Sequence, residues 1–441
     1  MARGKTYSVQ ITGLPQGGVF PAREQSDGNN DWRTTLKDAR ANKVEAKVIC
    51  LCFGQHEDLT LRKLVVRYRE DYDRFYLSAW QYTGGQHRQE CRFYSVWGDE
   101  ASAKTYSSSV VRVNDDGTFS ITLPVGLSRQ TGTTNPSPDV NPARHPRTGK
   151  AKPSMSLLGL GHFIWQQAEI NTWKPQYVKN RPRSAMWLAT RIDSTAQKIR
   201  VSRLTLADVL LVSASNESAQ KQKNQMRVRY ATENKKRMVA IALLKADAAD
   251  GYTELQAGRL ILSSPMGFPK MNVSSNVFRA CERSFQSELS AWKAGHKVVA
   301  ILETEPPTLR FEKVNGRNVP ITEAEVMGIA LMRVTPRFIP VDSGYEEIIE
   351  ARLCDQERSF VKPLRFDAED DTFPDFVLTD VGGKQPVPME VFGMNTPEYI
   401  TRRGTKTAQY DSEYGPDGWW SWDATLKDAE NKIPPFPSPG A

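Results

Sequence analysis

The feature that most constrains this chain is the spacing of four metal-type donors near its start. Cys50-x-Cys52 is followed, after 34 intervening residues, by His87-x3-Cys91. Two short donor pairs so far apart can act together only if the chain between them folds back. These residue types in this pattern suit a tetrahedral Cys3His zinc site, structural because four protein ligands leave no position for water. Thr83-Gly84-Gly85 offers a turn before the second pair, and strand-like runs flank both. His56 is a competing ligand, ranked below His87. Reduced, unrelated cysteines in strands are the plainer reading. The stretch MARGKTYSVQITG lacks the apolar core of a secretory signal, so a disulfide is disfavoured and a cytoplasmic location is expected.

The 441 residues suffice for two to four domains. A hydrophobic share of 39% with 25% charged residues excludes wholesale disorder. The longest apolar runs, such as Met238–Leu244, fall far short of the ~20 residues that cross a bilayer, so no membrane is expected. Charge is unevenly spread. From Val341 onward there are 10 basic and 20 acidic residues, against 49 basic and 31 acidic before it. A basic body joined to an acidic end suggests two jobs, the first being to meet a polyanion such as nucleic acid. Ordinary charge scatter is the bland alternative.

Residues 6–123 read as mostly β, with short runs at 5–11, 43–50, 59–68, 74–80 and 119–123 and an Asp115-Asp116-Gly117 turn before the last. Residues 126–154, rich in Pro, Thr, Gly and Asn, read as a flexible basic linker, either a spacer or a DNA-touching arm. Leu157 to Ala168 and Ser184 to Ile192 are helical patterns, and basic residues including Lys179, Arg181 and Arg183 cluster around the second. A small helical domain with a cationic flank suits DNA docking, a winged-helix arrangement included, although a solvated basic face looks the same. Lys221 to Arg237, with Arg227, Arg229, Lys235 and Lys236, reads as a solvated loop or a phosphate contact. Ser274 or Ser275 caps a helix whose stripe is Phe278, Cys281, Phe285, Leu289 and Trp292, and residues 297–303 follow as a buried strand. Cys354 is given no chemistry.

The acidic end carries a carboxylate constellation. Pro374-Asp375-Phe376-Val377-Leu378 begins a strand, a turn with two glycines follows, and residues 387–392 return as a second strand bearing Glu390. Hairpin pairing would bring Asp375 and Glu390 together, two hard oxygen donors suited to Mg²⁺ or Mn²⁺. A preceding helix, about 343–354, holds Glu346, Glu347 and Glu350. Ser343 with Glu346 forms a capping box, so Glu346 is a cap, a neighbour of the metal site, or both. On a following helix Tyr399, Arg402, Arg403, Lys406 and Tyr410 fall near one face. Trp419, Trp420 and Trp422 either anchor a partner or, more commonly, pack on their own domain. Residues 433–441 read as a frayed, extended end.

This order resembles the restriction-endonuclease-like PD-(D/E)XK nuclease superfamily, with its acidic helix, a strand opening on Asp and a strand bearing Glu-x-Lys. Asp375 matches the first acid and Glu390 the second. The resemblance implies a lysine two residues on, where Phe392 stands instead. Lys406 on the next helix is the replacement, with Lys362 and Lys384 weaker ones. The wider chain resembles the bacterial domain of unknown function (DUF) 1173 family in three places. These are the Cys50, Cys52 and Cys91 trio, the Leu157–Trp173 stretch, and Phe360–Leu364 leading to Pro374-Asp375-Phe376 and Glu390–Met394. That resemblance implies no activity, but such proteins resemble passengers of plasmids and integrative elements, which suggests a role in mobile-element DNA metabolism.

The expected class is multidomain α+β. Residues 1–125 would form a β-rich zinc domain, 126–154 the linker, 155–237 the basic helical domain, 238–340 an α/β segment and 341–441 a nuclease-like α/β/α domain. The expected function is metal-dependent phosphodiester cleavage, with Asp375, Glu390, Lys406 and Glu346 as catalytic residues. Structural Zn²⁺ and a catalytic Mg²⁺ or Mn²⁺ are the expected cofactors. The alternative is a nuclease fold that has lost catalysis and serves as a DNA-binding or scaffold module.

Overall fold

Apolar runs become interior strands where both backbone edges find a partner, and the central part of the chain supplies such runs. A computed structural model describes residues 5–26, 28–42, 45–54, 62–69, 73–79, 87–88, 90–93, 110–114, 116–127, 154–176, 183–214, 218–245, 255, 258–314, 317–364, 374–382 and 386–440. The fold is mixed α+β. One compact unit joins Met1–Lys104 to Asp370–Ala441, and the other is Thr105–Glu369. The first unit is thus discontinuous, whereas the five segments expected from composition run serially. Composition read along a chain cannot register that two distant stretches fold together.

In the second unit, Lys297–Thr304 is buried at all but its first residue. It pairs antiparallel with Met238–Leu243 on one side and with Arg317–Val334 on the other. Leu210–Val212 extends the sheet in parallel beyond Met238–Leu243. Lys270–Val273 does the same beyond Arg317–Val334, on which Thr308–Val314 also returns as a hairpin. The helix Leu157–Gln167 begins at Ser156, whose side chain accepts the Gly159 N–H. It lies so close to the sheet that a Cβ on Gly161 would come within 2.7 Å of Ile301 Cδ1. The expected helix near 184 runs Ala185–Ala196 with Ser184 as its cap. The expected stripe from Phe278 to Trp292 is buried throughout. Its helix is two, Ser275–Ser284 and Gln286–Lys293, broken at Phe285. Burial pushes the Cys281 thiol up to about 12, as suits a packing residue.

The stretch read as a loop around 221–237 is largely the helix Ser218–Glu233. Its inward positions are Gln220, Asn224, Val228 and Ala231, half of them polar, so a search for apolar periodicity passes over it. The polar ones have a task. Asn224 Nδ2 donates to the Val212 and Met266 carbonyls, each at 2.9 Å, and its Oδ1 accepts the Val212 N–H at 3.3 Å. The side chain thereby satisfies backbone groups of the strand Leu210–Val212 at the margin of the sheet.

In the first unit, Val9–Thr12 pairs antiparallel with Gly18–Phe20 and with Lys47–Cys50. Leu64–Arg69 and Arg74–Ala79 form a ribbon. The mostly β reading of this region misses the helix Asn30–Ala41, capped by Asn29 and burying Trp32, Thr35, Leu36 and Ala39. The helical spacing of those four was its signal. Farther along, Phe376–Leu378 pairs antiparallel with Val387–Phe392, and Trp420–Asp423 lies parallel to the latter. The helix Pro397–Tyr414 connects them. Trp420 and Trp422 are buried, and Trp419 Nε1 donates to Asp411, so the tryptophans pack within their own unit. The end read as frayed is docked. Trp420 Nε1 donates to the Pro435 carbonyl and its ring lies 5.3 Å from Phe436, while the Gly440 N–H reaches the Asp380 carbonyl. The linker expected at 126–154 lies outside the described residues except for 126–127 and 154. Among the described residues no helix is long and apolar enough to cross a membrane.

Two outcomes follow from the buried polar groups. Asn224→Ala should cost about 1–3 kcal/mol in denaturant unfolding, because it strands backbone groups away from water. Burial, reinforced by Glu305 and opposed by Arg237, pushes the Glu303 carboxyl up to about 7. Native Glu303 then keeps its proton between the ordinary carboxylate range and that pH, where the unfolded chain has released it. Stability should fall as pH rises through this window and level off above it. Glu303→Gln should remove that component, gaining up to about 3 kcal/mol on the wild type between acid and mildly alkaline pH.

Candidate functional site

Two constellations stand out, both in the first unit. The first begins where Val9 pairs with Cys50, and where Lys5 bridges Cys91. The Lys5 N–H donates to the Glu90 carbonyl, and the Arg92 N–H donates to the Lys5 carbonyl. These backbone bonds carry the two donor pairs to one place. Cys50, Cys52, His87 and Cys91 are all buried, and one ligand atom from each lies within 4.8 Å of the others. The cysteines are free of disulfides.

The distances test the fit to a metal. With Zn–S bonds of about 2.3 Å and Zn–N of about 2.0–2.1 Å, a regular tetrahedron has S···S edges of about 3.8 Å and S···N edges of about 3.6 Å. Cys50 Sγ lies 3.7 Å from Cys91 Sγ, and His87 Nδ1 lies 3.6 Å from Cys52 Sγ and 3.8 Å from Cys91 Sγ. The set could therefore hold a metal ion such as zinc, with Nδ1 as the histidine donor. Backbone N–H groups of Arg88 and Phe93 each point at a sulfur, on Cys52 and Cys91, at 3.5 Å. Hydrogen bonds with Cys50 and Cys91 pull the Cys52 thiol well down, while the Cys50 thiol is pushed well up by the same contacts. Three thiols this close cannot all ionise unaided, and a bound dication is what would let them. His56 lies outside the described residues.

The second constellation is built on the paired strands. The Asp375 N–H donates to the Met389 carbonyl, and Asp375 Oδ2 accepts the Val391 N–H at 2.7 Å, which locks this carboxylate beside Glu390. Glu390 is 2% exposed. Lys406 Nζ donates to its Oε2 and the Tyr410 hydroxyl to its Oε1, both at 2.7 Å. Thr396 caps the helix Pro397–Tyr414 that delivers both. Lysine and tyrosine four apart share a helix face, so one element holds both carboxylate oxygens. Burial and the neighbouring Asp375 push the Glu390 carboxyl up to about 8, against the pull of Lys406 and Tyr410. Burial and Glu390 push the Tyr410 hydroxyl up strongly, so it remains a donor. Phe392, two residues after Glu390, lies under the Arg403 guanidinium at 4.4 Å. Tyr410 is the member whose role the sequence did not suggest; its signal was the four-residue step from Lys406.

The remaining expected residues are scattered. Glu346 belongs to the other unit, where its Oε2 meets Lys362 Nζ at 2.7 Å and the Asp342 N–H at 3.1 Å, while Ser343 Oγ accepts the Glu346 N–H. It acts as a cap and ion-pair partner. Arg183 donates to the Ile170, Thr172 and Arg337 carbonyls and lies over Trp173 and Trp187. Arg227 bonds Asp193 and the Leu210 carbonyl. Arg403 pairs with Asp423. Arg229 and Lys235, in the second unit, and Arg402, in the first, are exposed, and Lys236 is half-buried. Lys179, Arg181 and Lys384 lie outside the described residues. Cys354 donates to Glu350.

For the sulfur cluster the expected result is about one equivalent of zinc in the purified protein, falling below about half in Cys52→Ser and His87→Ala, with lower thermal stability in both. Metal analysis and a melting curve check it. Zinc-free wild-type protein of undiminished stability would exclude a structural metal.

No curated protein and no solved structure matches the chain. A family model does, that of the protein of unknown function (DUF1173), over residues 20–425. With that match covering most of its length, the chain belongs to the DUF1173 family.

Proposed function

We propose that this protein is a zinc-clipped DNA-binding protein whose Asp375, Glu390 and Lys406 perform metal-dependent phosphodiester cleavage. The observation that carries the reading is the 2.7 Å contact of Lys406 Nζ with Glu390, on the strand paired to the one that Asp375 opens. A lysine from the following helix thus reaches the carboxylate whose own strand offers only Phe392. The chain order supports the same reading. Helix Gly344–Asp355 and strands Phe360–Val361, Phe376–Leu378 and Val387–Phe392 are followed by helix Pro397–Tyr414 and strand Trp420–Asp423. The nuclease resemblance implies the same order of acidic helix, strand hairpin and following helix.

Asp375 and Glu390 would hold the divalent ion, which when bound polarises the phosphate and lowers the pKa of an attacking water. Each Glu390 oxygen accepts one hydrogen bond in the protein, and each retains a second lone pair. Asp375 is oriented by the Val391 N–H. Lys406 would offer its ammonium to the negative charge that develops on the phosphoryl oxygens. Exposed Arg229, Lys235 and Arg402 suit phosphate contact. A second reading, a catalytically silent DNA-binding module, is favoured by one observation. Glu390 is deeply buried and both its oxygens are engaged, as in a structural ion pair.

The test is a cleavage assay on single- and double-stranded DNA and on RNA with Mg²⁺ or Mn²⁺. Asp375→Ala and Lys406→Ala should each lower cleavage by about 100-fold or more. Absence of cleavage on every substrate, with DNA binding intact, would overturn the nuclease and leave the silent module.

A further inference from the structure

In the second unit the hairpin of Thr308–Val314 with Arg317–Glu323 projects as a free ribbon. Residues 308–313 and 317–320 are exposed on both faces. Thr308–Val314 pairs with no strand other than Arg317–Val334 among the described residues. A two-stranded ribbon with both faces in water is marginal by itself. Yet this one carries large apolar groups outward: Phe311 is 66% exposed and Leu309 55%.

Register sorts its two faces. Directly paired residues share a face, so Leu309, Phe311 and Lys313 lie with Thr322, Pro320 and Asn318. That face has no acid. The other holds Thr308, Arg310, Glu312, Arg317, Val319, Ile321 and Glu323. There the charges near the base are matched, Arg310 with Glu323 and Glu312 with Lys270. Lys313 and Arg317, toward the tip, make no ion pair among the described residues.

We propose that this ribbon is a DNA-docking arm that lies in a groove of duplex DNA, with Lys313 and Arg317 on phosphates and Phe311 and Pro320 against the bases. Seven residues at about 3.3 Å each give a reach of roughly 20 Å, and a two-stranded ribbon fits a major groove about 12 Å wide. In that groove an apolar side chain such as Phe meets the methyl group of thymine. A second copy of the chain fits less well. Stacked on the acid-free face, two arms would bring two Lys313 ammonium groups together with no carboxylate to receive them. A stable dimer also needs about 800 Å² per partner, more than Leu309, Phe311 and Pro320 supply. A phosphate backbone provides anions for Lys313 and Arg317, which make no ion pair among the described residues.

The test is binding of the full chain to a labelled duplex over a salt series, without added Mg²⁺ or Mn²⁺. The variants are Phe311→Ala and Lys313→Ala/Arg317→Ala. All three positions are exposed, so melting curves should be unchanged and should confirm folding. The double variant should reduce the slope of log affinity against log salt by about 2. Phe311→Ala should weaken binding about tenfold with the slope retained. Equal affinity and slope in both variants would overturn the arm, as would a wild type that binds no duplex. A Phe311→Ala change confined to oligomeric state would assign the ribbon to a second copy. A wild type that binds no duplex would overturn the arm and the DNA-binding reading together, whereas variants equal to a wild type that does bind would overturn the arm alone, and cleavage lost in Asp375→Ala with binding intact reports on the active site alone.

Discussion

The larger unit depends on the double-sided burial of one strand. Lys297–Thr304 can leave water only because its N–H and C=O groups pair with Met238–Leu243 on one side and Arg317–Val334 on the other. An unpaired group there would cost as much as a lost hydrogen bond, about 1–3 kcal/mol. That requirement propagates outward. The next strands must themselves be covered or paired, until the margin is reached at Leu210–Val212, where an amide side chain from a helix completes the bonding. The glycine at 161 serves the same end from above, since it lets a helix approach Ile301 without a gap.

The same accounting explains how buried charge is handled. Glu346 meets Lys362, Glu350 meets Arg337 and Thr335, Asp193 meets Arg227, and Glu390 meets Lys406 and Tyr410. In each case a carboxylate that loses water gains a specific donor, as burial requires. Glu390 differs in its neighbour. A second carboxylate, Asp375, faces it, and like charges in a desolvated pocket push against one another. The sulfur cluster repeats the pattern with softer donors, three thiols and an imidazole nitrogen brought to spacings that could hold a metal ion such as zinc.

Legibility in the sequence followed the physics of each signal. The Cys and His spacing could be read because few chemistries employ those residues together, and the stripe from Phe278 to Trp292 because its apolar period is clean. The helix Ser218–Glu233 was hidden since half of its inward face is amide, serving backbone rather than core. The helix Asn30–Ala41 was masked by strands on either side. The docking of residues 435–440 on Trp420 and Asp380 rests on contacts between distant positions that no local pattern encodes. Joining of the two ends of the chain in one unit was invisible for the same reason.

Counting charge was informative about the chain but not about its parts. The excess of basic residues before Val341 suggested a cationic surface, yet Arg183 and Arg227 turn inward and donate to carbonyls and carboxylates. An arginine inside a fold acts as a five-donor clamp, and its charge is consumed by the groups it holds. What remains for a partner is the subset that makes no ion pair among the described residues, such as Lys313 and Arg317 toward the tip of the ribbon. Net charge therefore sets only the upper bound of an electrostatic footprint, and register with pairing decides where on the surface it falls.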